Sequence, residues 1–270
     1  MLSQMQNYPK LAPSDVRIAG SKKEDGYTKQ LLVFQTPFGY RRIAELFTPD
    51  GEGPQALILF IHWYEPGSPS SNRSQFVEES IELAKAGAIC LTVESLWSDP
   101  DFFLKRTQAD DMQSSMEEVV NERRFMDFLA SQPNADLTRF ALVGHDFGGM
   151  YGILAGSLDQ RPTHYVVMAA TPRFPDWYLY SPKLEGAARE AFLSEMYAID
   201  PITHIPSLAP APVLFQFGND DFHVPLERAD EFFAAASEPK EKKIYGSGHG
   251  LNDESTKDRK SWIKSQLRLS

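Results

Sequence analysis

The stretch "LVGHDFGGMYG", residues 142–152, joins an apolar run to a segment of small and apolar residues. Continuous apolar runs are typical of strands buried on both faces of a sheet, and the residues after the run suit a helix. Gly144, Gly148 and Gly149 surround Asp146, and small neighbours permit a very sharp turn because bulky side chains would clash. The stretch therefore predicts a strand, a strained turn with Asp146 at its tip, and a helix.

The same alternation of apolar runs and helical segments extends over most of the chain. It predicts βαβ units, and therefore an α/β fold with a mostly parallel central sheet and helices on both faces. The predicted strands cover residues 55–63, 87–95, 139–145, 164–170, 211–218 and 242–248. The predicted helices cover residues 74–87, 110–132, 149–158, 183–199, 226–237 and 254–267.

Two parts of the chain depart from this alternation. Residues 27–49 contain two strand-like runs around the turn "TPFG", which predicts an antiparallel hairpin on the N-terminal edge of the sheet. Residues 171–210 are irregular and rich in proline and aromatic residues, which predicts at most a small cap or lid insert. No linker divides the chain, so residues 1–270 are predicted to form a single domain.

The composition is ordinary for a soluble globular protein, and its charge argues against two classes of partner. The chain carries 27 Lys and Arg against 37 Asp and Glu, a formal net charge of −10, which argues against nucleic acid and anionic membrane as partners. Its apolar runs are too short to cross a membrane, and its start lacks the features of a signal peptide, so a cytoplasmic location is expected. The sequence does not define the oligomeric state.

The single cysteine, Cys90, lies in the apolar run "AGAICLTVE". We expect a buried structural thiol there, because buried cysteines behave as small apolar residues. One thiol excludes the all-cysteine zinc pattern and the pattern of paired cysteines and histidines. The sequence therefore predicts neither a metal nor a cofactor.

Two further polar residues follow predicted strands. Asp221 lies three residues after the strand predicted over 211–218, and His249 directly follows the strand predicted over 242–248. Because the carboxyl ends of parallel strands meet at one edge of the sheet, both side chains are expected to converge on Asp146. Asp220 is adjacent and could take the role of Asp221 instead.

Four segments occur in order between about residues 30 and 267 and carry a family resemblance. They are "LFIHWYEPG" (59–67), "VGHDFGG" (143–149), "GNDDFHVP" (218–225) and "GSGHGLN" (246–252). With these segments the chain resembles the α/β-hydrolase fold family, and in detail the dienelactone hydrolase and esterase branch. Because this fold supports many reactions, the resemblance is more specific for the fold than for the substrate.

The resemblance implies a role for each matching position. His249 would be the general base and Asp221 would orient it, with Asp146 at the position of the nucleophile. The backbone N–H of Phe147, with that of Trp63 or Tyr64, would form the oxyanion hole. His62, at the end of a predicted strand, is expected to pack beneath the oxyanion loop.

Asp146 departs from the esterase branch, in which this position is Ser or Cys. Haloalkane dehalogenases and epoxide hydrolases have Asp there, again as G-H-D followed by an aromatic residue and glycine. A carboxylate is charged at neutral pH and can attack a saturated carbon without a base. His249 would then activate water to hydrolyse the ester formed on Asp146. This reading predicts a hydrolase acting on a C–halogen bond or on an epoxide C–O bond.

Other residues bear on that prediction. Phe147 lacks the ring N–H with which a tryptophan helps to hold the halide in the dehalogenases, although Trp63 could supply one donor. Epoxide opening needs phenol donors, for which Tyr64, Tyr178 and Tyr180 are candidates, although an ordinary place in the surface or core is the more frequent role of a tyrosine.

Two alternatives therefore remain open. One is hydrolysis of a carboxylic ester or lactone, with Asp146 acting as a base for water. The other is a binding protein for a small molecule that has retained the scaffold of a hydrolase without its reaction.

Overall fold

The structure, a computed structural model, describes residues 5–270. Its strands are β1 (Val16–Glu24), β2 (Tyr27–Gln35), β3 (Arg41–Pro49), β4 (Gln55–Ile61), β5 (Ala88–Val93), β6 (Ala135–His145), β7 (His164–Met168), β8 (Val213–Gly218) and β9 (Lys240–Tyr245). Within the described residues they form one nine-stranded sheet in the order β1-β2-β3-β5-β4-β6-β7-β8-β9.

Helices connect the strands and cover both faces of this sheet. The α-helices are α1 (Val77–Lys85), α2 (Phe102–Lys105), α3 (Gln108–Ala130), α4 (Phe147–Leu158), α5 (Pro175–Tyr178), α6 (Gly186–Met196), α7 (Pro201–His204), α8 (Leu226–Ala235) and α9 (Asp253–Leu267). Short 3-10 helices lie at Pro13–Asp15, Pro69–Asn72, Leu96–Ser98 and Ile205–Leu208. Over residues 5–270, no helix combines the length and the apolar character needed to span a bilayer.

The predicted fold class is confirmed. Strands β4 to β9 pair in parallel with one another, whereas β1, β2 and β3 pair antiparallel, β3 also with β5. Every residue of β4, β5 and β8 is buried, because helices cover both faces of a parallel sheet. This is why these strands are recognisable as continuous apolar runs.

The N-terminal edge differs from the prediction. The hairpin of β2 and β3 forms, but β1 pairs with the outer side of β2 and is itself the edge strand. Seven of the nine residues of β1 are exposed and its ends are half-buried, so the strand has no apolar periodicity. A strand with both faces in water gives no hydrophobic signal, which is why the sequence does not predict it.

The boundaries around residue 146 also differ from those predicted. Strand β6 begins at Ala135 rather than at residue 139. The sequence does not indicate its first five residues, because they are half-buried or exposed and show no apolar run. Helix α4 begins at Phe147 rather than at residue 149. The free amide groups of the first turn of α4 therefore start directly beside Asp146.

The core lies on both faces of the sheet. Alternate residues of β4 point to opposite sides: Leu57 and Leu59 belong to the larger cluster of buried apolar side chains, and Ile58 and Phe60 to the smaller one. Cys90 is fully buried in the smaller cluster, as predicted, and burial raises the pKa of its thiol. These two cores fix the parallel strands whose carboxyl ends carry the candidate site.

Residues 171–210 form the connection between β7 and β8. They contain α5, α6, α7 and a 3-10 helix, where the sequence indicates a single helix. Arg173 joins this segment to α8 through paired hydrogen bonds to Glu231, with Nη1–Oε2 at 3.0 Å and Nη2–Oε1 at 2.5 Å. This ion pair holds the start of the segment against the body of the protein.

Candidate active site

Asp146 lies at the tip of the turn between β6 and α4, where it is the N-cap residue of the helix. Its φ of 53° and ψ of −119° lie in a region that residues with a side chain rarely adopt. The turn needs glycine on both sides: a Cβ on Gly144 would lie 2.3 Å from the Gly148 oxygen, and one on Gly148 would lie 2.2 Å from the Ile61 oxygen. The glycines therefore allow the strained turn that presents Asp146 above the sheet.

Asp221 and His249 meet above the carboxyl ends of β8 and β9. The Nδ1 atom of His249 lies 2.8 Å from Oδ2 of Asp221. The other oxygen of Asp221, Oδ1, accepts hydrogen bonds from the backbone N–H groups of His223 at 2.8 Å and Val224 at 3.1 Å. The turn thus aims one carboxylate oxygen at the imidazole. Asp220 is exposed and its side chain makes no hydrogen bond within the described chain.

Asp146 and His249 face one another across a short gap. Oδ2 of Asp146 lies 3.8 Å from Nε2 of His249, beyond hydrogen-bonding distance. Within residues 5–270, Asp146 Oδ1 and His249 Nε2 are both buried and have no hydrogen-bond partner. Buried polar atoms are normally paired, so these two atoms are candidates for contact with a ligand or a water molecule.

The two carboxylates control the charge of His249. Burial acts to lower the pKa of His249, but the negative charges of Asp146 and Asp221, together with the hydrogen bond to Asp221, outweigh it and raise the pKa to about 9. His249 therefore carries a proton at neutral pH, unlike an ordinary histidine.

The two carboxylates have opposite pKa shifts. Burial raises the pKa of Asp146, and His249 and the Phe147 amide offset only part of that rise. Burial also acts to raise the pKa of Asp221, but the bond and charge of His249 and the two backbone N–H groups bring the pKa below its ordinary value. Asp146 is thus the more basic carboxylate of the pair.

The predicted oxyanion donors are not equivalent. The Phe147 N–H is the first amide of α4, and it is close enough to the Asp146 carboxylate to lower its pKa. The Trp63 N–H is already engaged, since it donates to Oε1 of Gln75 at 3.2 Å. The Tyr64 N–H has no acceptor within the described residues. Of the two alternatives left open by the sequence, Tyr64 therefore has the free amide.

His62 supports this loop from below and does not face Asp146. The His62 ring bonds with the Trp63 carbonyl oxygen at 2.8 Å and with Oγ of Ser98 at 2.7 Å, and Nε1 of Trp97 donates to the His62 carbonyl oxygen at 2.9 Å. Burial lowers the pKa of His62 to about 4, so the ring is neutral. These contacts agree with a packing role beneath the oxyanion loop.

The candidate phenol donors are engaged elsewhere or lie in solvent. The Tyr178 hydroxyl bonds with the hydroxyl of Tyr151 at 2.6 Å and lies 3.4 Å from Oγ of Ser115, in a buried cluster against α3. The Tyr64 hydroxyl donates to the Pro100 carbonyl at 2.8 Å. Tyr180 is half-exposed. Within the described residues, none of the three hydroxyls is hydrogen-bonded to Asp146.

The structure adds residues to the site that the sequence did not indicate. The ring of Trp177, on α5, lies 5.5 Å from the His249 ring and 5.8 Å from the Phe147 ring. The ring of His223 lies 5.2 Å from His249 and 5.1 Å from Trp177. Trp177 was not found because it lies in the irregular segment 171–210, where no periodicity assigns a side chain to a face.

Trp63, together with Trp177 and His223, forms an enclosure of rings around His249. Its ring stacks on His145, with centroids 4.9 Å apart and planes 10° from parallel, and lies 5.0 Å from His249. The enclosure leaves Asp146 only 1% exposed and His249 9% exposed. Burial of this degree strengthens electrostatic interactions within the site.

A cavity of about 640 Å³ lies against the other side of α5. Pro175, Asp176 and Leu179 line it, whereas Trp177 and Tyr178 do not. Helix α5 therefore separates this cavity from the space around Asp146. Across residues 5–270, no group of three or more His, Cys, Asp or Glu side chains is arranged to hold a metal ion.

Comparison with known proteins assigns the fold. No protein-family model and no curated protein matches the chain. An acetyl xylan esterase from Thermoanaerobacterium sp. JW/SL YS485 matches with a TM-score of 0.78 at 14% identity, over 93% of this chain and 87% of that one. An acetyl xylan esterase from Paenibacillus sp. R4 matches with 0.75 at 17%, over 98% and 99%. A glucuronoyl esterase from Solibacter usitatus matches with 0.65 at 16%, over 96% and 88%.

These likenesses show that the chain has the α/β-hydrolase fold, as the resemblance of its motifs had implied. At such low identity they show the fold alone, since one fold supports many reactions.

Proposed function

We propose that this protein is a hydrolase that cleaves a carboxylic ester or lactone of a small molecule. Asp146 would act as the general base, His249 as the general acid, and Asp221 would hold the imidazole. The observation that carries the proposal is the buried Asp146 carboxylate 3.8 Å from the unpartnered Nε2 of His249, with the pKa of both groups raised. A basic carboxylate beside a protonated imidazole is an acid–base pair suited to neutral pH.

In the proposed reaction Asp146 takes a proton from a water molecule, whose oxygen attacks the ester carbonyl. The N–H groups of Phe147 and Tyr64 would stabilise the negative oxygen of the tetrahedral intermediate. As the intermediate collapses, His249 gives its Nε2 proton to the leaving alcohol. Transfer of a proton from Asp146 to His249 then restores the starting state.

Two considerations favour this bond type. Direct attack of Asp146 on an ester would form an anhydride, which is a poorer intermediate than the product of water attack. Moreover, the three proteins compared above are named as esterases, which supports an ester as the substrate.

We further propose that residues 171–210 act as a lid of the single domain, because Trp177 closes the space above His249.

We expect an activated ester such as p-nitrophenyl acetate to be hydrolysed, with no covalent intermediate on the enzyme. A single turnover in water enriched in heavy oxygen should place the label in the acetate, and peptide mass analysis should find none in Asp146. Label in Asp146 would contradict the role of base. If no ester, epoxide or alkyl halide in a panel is turned over although ligands bind, the protein is a binding protein on this scaffold.

A second candidate function is displacement at a saturated carbon, as in the C–halogen and epoxide reactions predicted from Asp146. The unpartnered Oδ1 of Asp146 favours it, because a free carboxylate oxygen can attack without a base. The carbon would be bound to Asp146 as an ester, which water would then hydrolyse. In this case the same labelling experiment, with an alkyl halide or epoxide, would place heavy oxygen in the Asp146 side chain.

The pH dependence provides another test. The proposed reaction needs charged Asp146 and protonated His249, so kcat/KM should be lost as the pH rises through the His249 pKa of about 9. Above that pH the rate should fall about tenfold per pH unit. On the acid side it should fall at a pH above the ordinary pKa of aspartate, because the Asp146 pKa is raised. A rate that instead increases through pH 9 would indicate neutral His249 as the base.

A further inference from the structure

We infer that Gln75 is a positioning residue that ties the oxyanion loop to the loop that carries His249. This inference rests on the proposed function for its kinetic consequences but not for its hydrogen bonds. Gln75 lies before α1, far in sequence from His145 and His249, and nothing in its sequence surroundings indicates a role.

Three hydrogen bonds form a continuous chain across the site. Nε2 of His145 lies 2.9 Å from the carbonyl oxygen of His249. Nδ1 of His145 lies 2.6 Å from Nε2 of Gln75, and Oε1 of Gln75 accepts from the Trp63 N–H at 3.2 Å. Through His145 at the end of β6, one glutamine side chain therefore connects the loops that follow β4 and β9.

The groups at the two ends of this chain, the His249 carbonyl and the Trp63 N–H, determine which atom donates in every hydrogen bond. A carbonyl oxygen only accepts, so His145 must carry its proton on Nε2 to bond with His249. Burial lowers the pKa of His145 well below its ordinary value, so the ring is neutral and Nδ1 is an acceptor. Gln75 must then donate its amide N–H to Nδ1, which leaves its oxygen to accept from Trp63. An amide side chain can do both, whereas a carboxylate only accepts and an alkyl side chain does neither.

This arrangement determines which backbone amide serves the substrate. Because Gln75 occupies the Trp63 N–H, the Tyr64 N–H is the amide of this loop that has no acceptor within the described residues. The Trp63 ring is also held, since it stacks on His145 and lies 5.0 Å from the His249 ring. Loss of Gln75 would release Trp63 and change the distance between the oxyanion donors and His249.

The first test needs no substrate. In protein labelled with nitrogen-15 histidine, the chemical shifts of His145 should report a neutral ring with its proton on Nε2. A proton on Nδ1 would overturn the inference, because Gln75 could not then bond as described and His145 could not donate to His249. This result stands even if wild-type protein hydrolyses no ester, an outcome that would contradict the proposed function alone.

The second test compares two substitutions of similar size. Gln75→Leu should lower kcat for p-nitrophenyl acetate by on the order of 10- to 100-fold at all pH values, with little change in KM, because the reacting groups are misplaced. In Gln75→Glu, the carboxylate only accepts, so His145 must be doubly protonated to keep both of its bonds. The new carboxylate should raise the pKa of His145 in this variant. The activity of the variant relative to wild type should therefore be highest at low pH and fall as the pH rises through that new pKa.

Gln113, exposed on α3, provides the matched control. Gln113→Leu and Gln113→Glu should retain wild-type kcat and its pH profile. If Gln75→Leu folds, as shown by circular dichroism, and its kcat equals that of the control, the inference is wrong. If Gln75→Leu does not fold, the pH profile of Gln75→Glu decides, and a profile parallel to wild type would overturn the inference.

Discussion

Asp146→Asn is expected to lower ester hydrolysis by about 10²–10⁴-fold, the usual contribution of a positioned acid–base group. The amide has almost the same shape as the carboxylate but cannot take a proton from water. It also removes one of the two negative charges that keep His249 protonated. The variant therefore lacks the general base and has a smaller fraction of protonated His249 to act as the general acid. The measurement is kcat/KM for p-nitrophenyl acetate in wild type and variant.

The fold should survive this substitution. The raised pKa of Asp146 means that its charge is less stable in the folded protein than in water. The melting temperature of Asp146→Asn is therefore expected to equal or exceed that of wild type. A variant that retains the wild-type kcat/KM for the ester would exclude Asp146 as the general base of the proposed function.

Asp221→Asn is expected to lower activity by about 10⁴-fold, by analogy with the same change in the serine protease triad. Oδ1 of Asp221 accepts from the backbone N–H groups of His223 and Val224, and in the variant these groups would hold the amide oxygen of the new side chain in the same place. The NH₂ group would then face Nδ1 of His249. His249 would have to accept there, so it could no longer carry a proton on both nitrogens.

Asp220→Asn is the matched control, because it makes the same chemical change one residue away. Asp220 is exposed, and its backbone N–H donates to the Ser247 carbonyl oxygen at 3.0 Å, a bond that the substitution leaves in place. Its kcat/KM should stay close to the wild-type value. If Asp220→Asn loses the activity and Asp221→Asn keeps it, then Asp220 and not Asp221 is the carboxylate that holds the imidazole of His249.

The parts of the fold that were predictable are those with a hydrophobic signature. Strands buried on both faces form continuous apolar runs, and the glycines around Asp146 are demanded by close backbone contacts. Hence the sheet, its helices and the turn at residue 146 follow from the sequence. By contrast β1 is exposed on both faces, so its formation depends on hydrogen bonding to β2 and leaves no pattern.

The site was predictable only where chain order determines proximity. The strand ends place Asp146, Asp221 and His249 at one edge of the sheet, whereas the preference for Asp221 over Asp220 depends on the local turn. The free amide of Tyr64 depends on Gln75, which reaches the site only through tertiary folding. No single-sequence pattern can indicate contacts of that kind.

The exposed strand β1 has a consequence for the behaviour of the protein at high concentration. An edge strand offers unpaired backbone groups to which another chain can add, with aggregation as the result. Strand β2, with buried Leu32 and Phe34, would be an apolar template if it were the edge. Instead β1 covers it with a strand that carries Lys22 and Lys23 and whose pairing shifts between Ile18 and Gly20. A charged and irregular border of this kind discourages sheets of separate molecules from joining, so β1 protects solubility while contributing little to the core.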